Sequence, residues 1–315
     1  MVNNTSSILM NSTNLPLVYV IVLSWNNCSE TINCLTSVNK LSYPNKRILL
    51  VDNGSQDGTP QTVAAIFPNI EIIVNDENLG FAAGCNVGLR YALENGAEFV
   101  FLLNNDTEVS SDALDHLVAA MGPNIGMAAP KIYYAHTSQP IIWSIGGKCH
   151  PVTLEKIGDA RGQIDRGQWN QVLERDYLVG CAVLISRKLL ETVGLFDESF
   201  FMYYEDSDLS LRARRQGFRL LFVPNAHVWH KVALSSGGSD TPNERYWMAR
   251  SSILFFYKHV KGLRWLIIVP YRFGSAIKTL IRLLGRKRWD AARAYCRGLR
   301  DGLIDVWRRV SQCTS

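Results

Sequence analysis

Four apolar runs, at positions 18–23, 48–51, 70–74 and 99–103, constrain the fold of this chain more than any other feature. Apart from Glu71 they lack the polar alternation of a strand with one wet face. They read as strands covered on both sides. Helix signals follow each run. Ser29 is a candidate cap for a helix carrying Ile32, Leu35 and Val38. Thr59-Pro60 places a cap before a proline at the first helical position. Positions 81–95 read as a helix closed by Gly96, and Ser110 or Ser111 caps one bearing Leu114, Leu117, Val118 and Met121. Repeated βα units of this length predict an α/β chain: a Rossmann-like, mostly parallel sheet with flanking helices. Beyond Met121 the rhythm changes. Strands are expected over 141–145, 177–185, 220–223 and 226–229, helices over 187–193 and 206–216, and a polar mobile loop over 158–174.

Ligands of open α/β sheets bind at the carboxyl ends of the strands, so the residues after each run are the candidate site. Ser24-Trp25-Asn26 follows the first, with Trp25 able to stack on a base. Asp52-Asn53-Gly54-Ser55 follows the second, and a carboxylate there can accept the imino N–H of a uracil or thymine ring, or simply serve a type I turn. Asn78-Leu79-Gly80-Phe81, running on to Asn86-Val87-Gly88, is a glycine-dotted entry to a helix, suited either to an anion or to close helix–sheet packing. Asn104-Asn105-Asp106-Thr107 ends the fourth run. Asp106 is a candidate ligand for the hard cation that a diphosphate needs, with His230 as a second ligand or a structural residue. The loop Ser235-Ser236-Gly237-Gly238 can fold over phosphates. The densest charge lies at Tyr204-Glu205-Asp206-Ser207-Asp208, three carboxylates in four residues after an aromatic run. A helix start stabilises acidic residues, but a base for group transfer is the sharper reading. Asp208 and Arg212 form an i,i+4 pair.

The 315 residues divide, on this reading, into a disordered lead-in (1–15), a catalytic body (16–240) and a helical basic tail (241–315). Between Lys258 and Arg309 stand fourteen Lys/Arg and three Asp, against a net +5 for the whole chain, so the body is acidic. That opposes nucleic-acid binding. No apolar stretch reaches the roughly 20 residues of a spanning helix. The basic tail with interleaved Trp, Leu and Ile fits either a helix lying on an anionic membrane or a helical subdomain with a solvated basic face. Seven cysteines, odd in number and without a CxxC pair, argue against a disulfide framework or zinc site and for a reducing compartment. The Asn/Ser/Thr-rich start lacks the basic and apolar regions of a signal peptide.

Taken in order, Ser24-Trp25-Asn26, Val51-Asp52-Asn53-Gly54-Ser55, Asn78-Leu79-Gly80-Phe81, Leu103-Asn104-Asn105-Asp106, Gly180-Cys181-Ala182, Phe196-Asp197-Glu198, Tyr204-Glu205-Asp206-Ser207-Asp208-Leu209 and His230 resemble the family 2 glycosyltransferases, most of all their rhamnosyltransferase-like branch, over residues 17–238. The resemblance implies a GT-A fold and an inverting transfer from a nucleotide-diphosphate sugar. It also implies a divalent cation, Mg²⁺ or Mn²⁺. Asp206 would be the general base beside Glu205, Asp52 the base contact, Asp106 the last residue of the DxD motif and His230 a further metal ligand. The donor would be dTDP-rhamnose or a UDP-hexose. The acceptor would be a saccharide or lipid-linked saccharide, and the enzyme cytoplasmic, peripheral at the inner face of the plasma membrane. Asn104 stands where many relatives carry Asp. Against this stand a nucleotide-binding scaffold that has lost catalysis, which Asn104 favours, and a sugar nucleotidyltransferase, which the absence of Gly, Lys and Arg between Val18 and Asn33 disfavours. No Gly-x-Ser-x-Gly elbow supports a hydrolase.

Overall fold

The computed structural model describes residues 15–232 and 240–313. In chain order the elements are β1 (Val18–Ser24), α1 (Cys28–Asn39), β2 (Lys46–Asp52), α2 (Thr59–Ile66), β3 (Glu71–Val74), α3 (Gly80–Glu94), β4 (Phe99–Asn104), β5 (Thr107–Val109), α4 (Ala113–Ala119) and β6 (Ile125–Tyr134). There follow β7 (Ile142–Ser144), β8 (Lys148–Cys149), β9 (Lys156–Ile157), β10 (Leu173–Arg175), β11 (Ala182–Ser186), α5 (Arg187–Val193), α6 (Glu205–Arg215), β12 (Arg219–His230), α7 (Pro242–His259), α8 (Trp265–Gly285) and α9 (Trp289–Cys313).

The main sheet runs β10-β12-β6-β11-β4-β1-β2-β3. β3, β2, β1 and β4 are mutually parallel, as their apolar runs require. β11 enters antiparallel between β4 and β6. Both faces are covered. Val18, Val20 and Val22 pack with Leu35 and Val38 of α1, Val63 of α2 and Leu114 and Leu117 of α4. Tyr19 and Ile21 of the same strand pack with Leu89 of α3, Leu189 of α5 and Leu209 of α6. Adjacent residues of β1 therefore face opposite layers, which is why no polar alternation survives in its sequence.

Several expectations change. β5 and β6 were not expected, and the strands at 220–223 and 226–229 are one strand, β12, with a register shift between Val223 and His227. Neither Ser29, Ser110 nor Ser111 caps a helix: Asn27 and Asp112 hold those N-cap positions without side-chain bonds, and Ser29 lies inside α1. The segment 158–174 is pinned by protein contacts. Asp165 meets the buried Lys131 at 2.7 Å, and Asp159 meets Arg175 at 2.5 Å. The loop 235–238 and nearly all of the lead-in lie outside the described residues. Leu15, at the edge of that lead-in, packs against the core.

The three C-terminal helices close over α6. Leu254, Phe255 and Phe256 of α7, Val260 just after it and Ile268 of α8 bury Phe200, with Tyr204 and Leu211 packed alongside. Among the described residues no helix is long and apolar enough to cross a membrane.

Candidate active site

Strand pairing gathers the candidate residues at the carboxyl edge. β1 pairs with β2 so that Ser24 lies opposite Asp52. β4 ends at Asn104, and the turn into β5 carries Asp106. β12 pairs antiparallel with β5, His230 opposite Thr107, which brings His230 to Asp106 across more than a hundred residues of sequence. Their closest approach is 3.1 Å, from Nε2 to Oδ1. Burial alone would lower the His230 pKa, but Cys181 and Asp106 beside it hold the ring up at about 10.

Glu205 and Asp206 open α6. The chain reaches them through Tyr203 and Tyr204, both at left-handed φ (67° and 71°). Non-glycine residues there are strained, and such strain clusters at functional sites. Burial, and then the neighbouring Asp206 charge, push Glu205 up to about 8. Asp206 Oδ1 accepts from the Ser207 backbone N–H at 2.6 Å and lies 3.5 Å from Lys156 Nζ. The approach is fixed from below. Phe81 N–H donates to Phe201 O at 2.7 Å, and a Cβ on Gly80 (φ +83°) would lie 2.5 Å from that same oxygen. Only glycine fits there.

These groups line one cavity of about 430 Å³. Asn104, Asp106, Glu205 and His230 line it together with Asp206 and Lys156. Four buried polar atoms on its wall lack a partner among the described residues: Asn104 Oδ1, Glu205 Oε2, His230 Nδ1 and Trp143 Nε1, while Asp106 Oδ1 meets only the His230 ring. Buried polar groups are ordinarily paired, so a cluster of four marks a wall suited to a polar ligand. Among the described residues no group of three or more His, Cys, Asp or Glu is placed to hold a metal. Asp106 and the Asn104 amide oxygen still fit a hard cation that takes its remaining oxygens from a phosphate, and His230 joins them once the cation displaces its ring proton.

At the neighbouring edge Trp25 is exposed, Asp52 is fully buried, and Asp52 Oδ1 is unpartnered while Oδ2 accepts from Ser55 N–H at 2.8 Å. Asn26 Oδ1 accepts from Gln56 N–H at 3.0 Å. The other expected nucleotide residues serve the protein. Asn53 Nδ2 donates to Asn78 Oδ1 and Gly80 O, each at 3.0 Å. Asn86 is clamped to Phe196 O and N–H and to Glu198. Ser24 meets Thr31 at 2.8 Å, and Asn105 Nδ2 donates to Thr31 at 3.0 Å. The polar atoms of Ser24, Asn53 and Asn86 thus tie β1 to α1, the end of β2 to the start of α3, and α3 to the segment before α6.

Sequence reasoning missed Lys156 and the anchoring of Asp208. Asp208 is fully buried and takes Arg212 Nε at 2.7 Å, Lys258 Nζ at 2.7 Å and His259 Nε2 at 2.8 Å. Burial would raise its pKa, but the His259 hydrogen bond and the Arg212 and Lys258 charges hold it down at about 2. Only the Arg212 contact had a signal, the i,i+4 spacing.

The model of glycosyl transferase family 2 matches residues 19–194, and the chain belongs to that family of glycosyltransferases. It is 28% identical over 218 residues to an N-acetylglucosaminyl-diphospho-decaprenol L-rhamnosyltransferase of Mycobacterium tuberculosis, a match covering 60% of this chain and 68% of the relative. It is 22% identical over 298 residues to the dTDP-rhamnosyl transferase RfbF of Shigella flexneri, covering 92% and 96%. Among solved structures, GalNAc-T7 with UDP, GalNAc and Mn²⁺ superposes with a TM-score of 0.57 at 17% identity. That match covers 83% of this chain and only 58% of the longer neighbour. The likeness shows the shared GT-A fold.

Proposed function

We propose that the chain is an inverting glycosyltransferase moving rhamnose from dTDP-rhamnose to a hydroxyl of a lipid-linked saccharide in cell-surface polysaccharide synthesis. The single observation that carries this reading is the set of unpartnered polar atoms that share one cavity with Asp206. The two rhamnosyltransferase relatives support the sugar, and the first also supports the lipid-linked acceptor. A UDP-hexose is the second donor, supported by the UDP-bound neighbour.

In this reading Trp25 stacks on the base and Asp52 Oδ1 accepts its imino proton. Asp106, His230 and Asn104 would hold a divalent cation, which when bound would supply charge neutralisation for the departing diphosphate. Asp206 takes the proton of the acceptor hydroxyl as that oxygen bonds to the anomeric carbon. The bond from that carbon to the diphosphate oxygen breaks on the opposite face, and its electron pair leaves with the nucleoside diphosphate. One displacement inverts the configuration. Glu205, protonated at neutral pH, keeps a second negative charge away from Asp206.

The tail supplies the membrane contact. Leu266, Val269, Phe273, Ile277, Ile281 and Leu284 recur every three or four residues along α8 and are all exposed, Leu266 by 74% and Phe273 by 69%. That apolar stripe, among the Lys/Arg of the tail, matches an anionic inner leaflet in both polarity and charge.

A thermal-shift panel of dTDP, UDP, GDP, ADP and CDP, each with and without Mn²⁺, tests the donor site. At ~100 Kd a ligand adds about 2.7 kcal/mol of stability. The account expects a Mn²⁺-dependent shift with dTDP or UDP; no shift with any nucleotide sinks it.

A further inference from the structure

A second cavity, of about 330 Å³, opens on the other side of the first turn of α6. It is walled by the β8–β9 hairpin, α6, α7 and Arg264 in the turn just before α8, and no role assigned above uses it. The two cavities are neighbours. Lys156 lines both, and Ser207, next to Asp206 in the chain, lines the second. Lys156, Arg214, Arg215 and Arg264 surround it, against one lining carboxylate, Asp176, which pairs with Arg214 at 3.0 Å.

Two of these cations are held in place by neutral atoms. Arg264 donates to the carbonyls of Pro151 and Val152 at 2.7 and 2.8 Å. Arg215 meets His259 Nδ1 at 2.9 Å and its carbonyl at 3.2 Å. Both guanidinium charges are thus fixed without a carboxylate partner among the described residues. Their planar forks suit phosphate oxygens. His150 also lines the cavity. Its Nδ1 accepts from the Val152 and Thr153 N–H groups, leaving the Nε2 as donor. On the outer rim the polarity reverses. Leu263, beside Arg264, is 82% exposed, and the stripe on α8 begins at Leu266.

We propose that this cavity binds the diphosphate of a lipid-linked acceptor, with the hydrocarbon passing along α8 into the membrane and the sugar reaching Asp206. The proposal rests on the glycosyltransferase reading above. The order is fixed by the fold: apolar stripe, guanidinium cluster, Lys156, general base. Because Ser207 and Asp206 are consecutive, the glycosylated hydroxyl lies near the diphosphate end of the acceptor. Lys156 then serves as an acceptor-positioning residue, sitting between the acceptor anion and the Asp206 carboxylate.

Geranyl diphosphate is the probe, titrated calorimetrically into the full-length protein in EDTA, where a metal-dependent donor site is silent. The proposal expects binding that Arg264→Glu weakens at least tenfold, that Arg264→Lys weakens less than Arg264→Glu does, and that dTDP with Mn²⁺ in a separate titration does not displace. Equal affinity in wild type and Arg264→Glu would overturn it, as would displacement by dTDP, which would put the anion in the donor site. Inorganic pyrophosphate binding as tightly as geranyl diphosphate would overturn the lipid assignment. Donor binding by Arg264→Glu, measured with dTDP or UDP and Mn²⁺, separates the two failures. If it persists while wild type ignores geranyl diphosphate, only the acceptor subsite falls. If wild type binds no nucleotide, the transferase reading itself falls.

Discussion

Two clusters of polar side chains sit at the same carboxyl edge and differ in one respect. Around Asn53, Asn78 and Asn86 the polar atoms meet protein partners: one amide holds Asn78 and Gly80, another clamps Phe196 and Glu198. Around Asn104 and Glu205, buried oxygens meet no partner among the described residues, and the neighbouring Asp106 Oδ1 meets only the His230 ring. Asparagine occurs in both clusters, so residue type does not separate scaffold from site. Partner satisfaction does, because an unmade buried hydrogen bond costs free energy that a bound polar ligand can recover. The first cluster holds the second in place.

The sharpest way to break this contrast is Asp206→Asn. We expect turnover to fall at least ~10²-fold, as for the loss of a general base, with nucleotide affinity held. Near-wild-type turnover in a donor-saturated assay would remove Asp206 from the chemistry.

A pair of alanine variants comes next. Asn86→Ala strips a buried clamp and leaves Phe196 N–H and O unpaired, which should cost about 2–3 kcal/mol of stability. Asn104→Ala removes an oxygen with no partner and should cost under about 1 kcal/mol while weakening Mn²⁺-dependent nucleotide binding. Urea midpoints and titrations read both, and reversed stability losses would invert the contrast.

Asp208 extends the satisfied region into the tail. Its folded pKa, about 2, lies below the ordinary carboxylate value. The stability it contributes is present above about pH 4 and is lost as pH falls toward 2, amounting to about 2 kcal/mol. Urea midpoints between pH 5 and 2 should therefore fall more steeply for wild type than for Asp208→Asn; parallel curves would contradict the network. The smallest effect belongs to Arg90→Ala. Its ion pair with Glu198 is half exposed at both ends and should be worth under about 1 kcal/mol.

The parallel half of the sheet was legible because burial on both faces leaves unbroken apolar runs. β6 was not. Its sequence contains Gly126, Pro130 and Lys131, all poor strand signals. Gly126 is required because Leu189 fills the space beside it, where a Cβ would lie 2.3 Å from Cδ1. Lys131 is tolerated because Asp165 neutralises it. The acid pair, Asp106 and His230 were readable as motifs at the predicted edge. The occupancy of Asn53 and Asn86 was not, since the same glycine-dotted loop serves a phosphate or a packing contact. Lys156 and His259 carried no local signal, because each reaches α6 only through the folded chain, from a hairpin 50 residues before Asp206 and a helix 51 residues after Asp208.

The most direct test of the central claim, that unpartnered atoms mark the donor site, is calorimetric titration of dTDP and UDP into wild type and Asp106→Asn, each with Mn²⁺ and with EDTA. The account predicts Mn²⁺-dependent binding by wild type, and loss of that dependence in an Asp106→Asn protein that still unfolds in one cooperative transition. Unchanged Mn²⁺-dependent binding by the variant would contradict it.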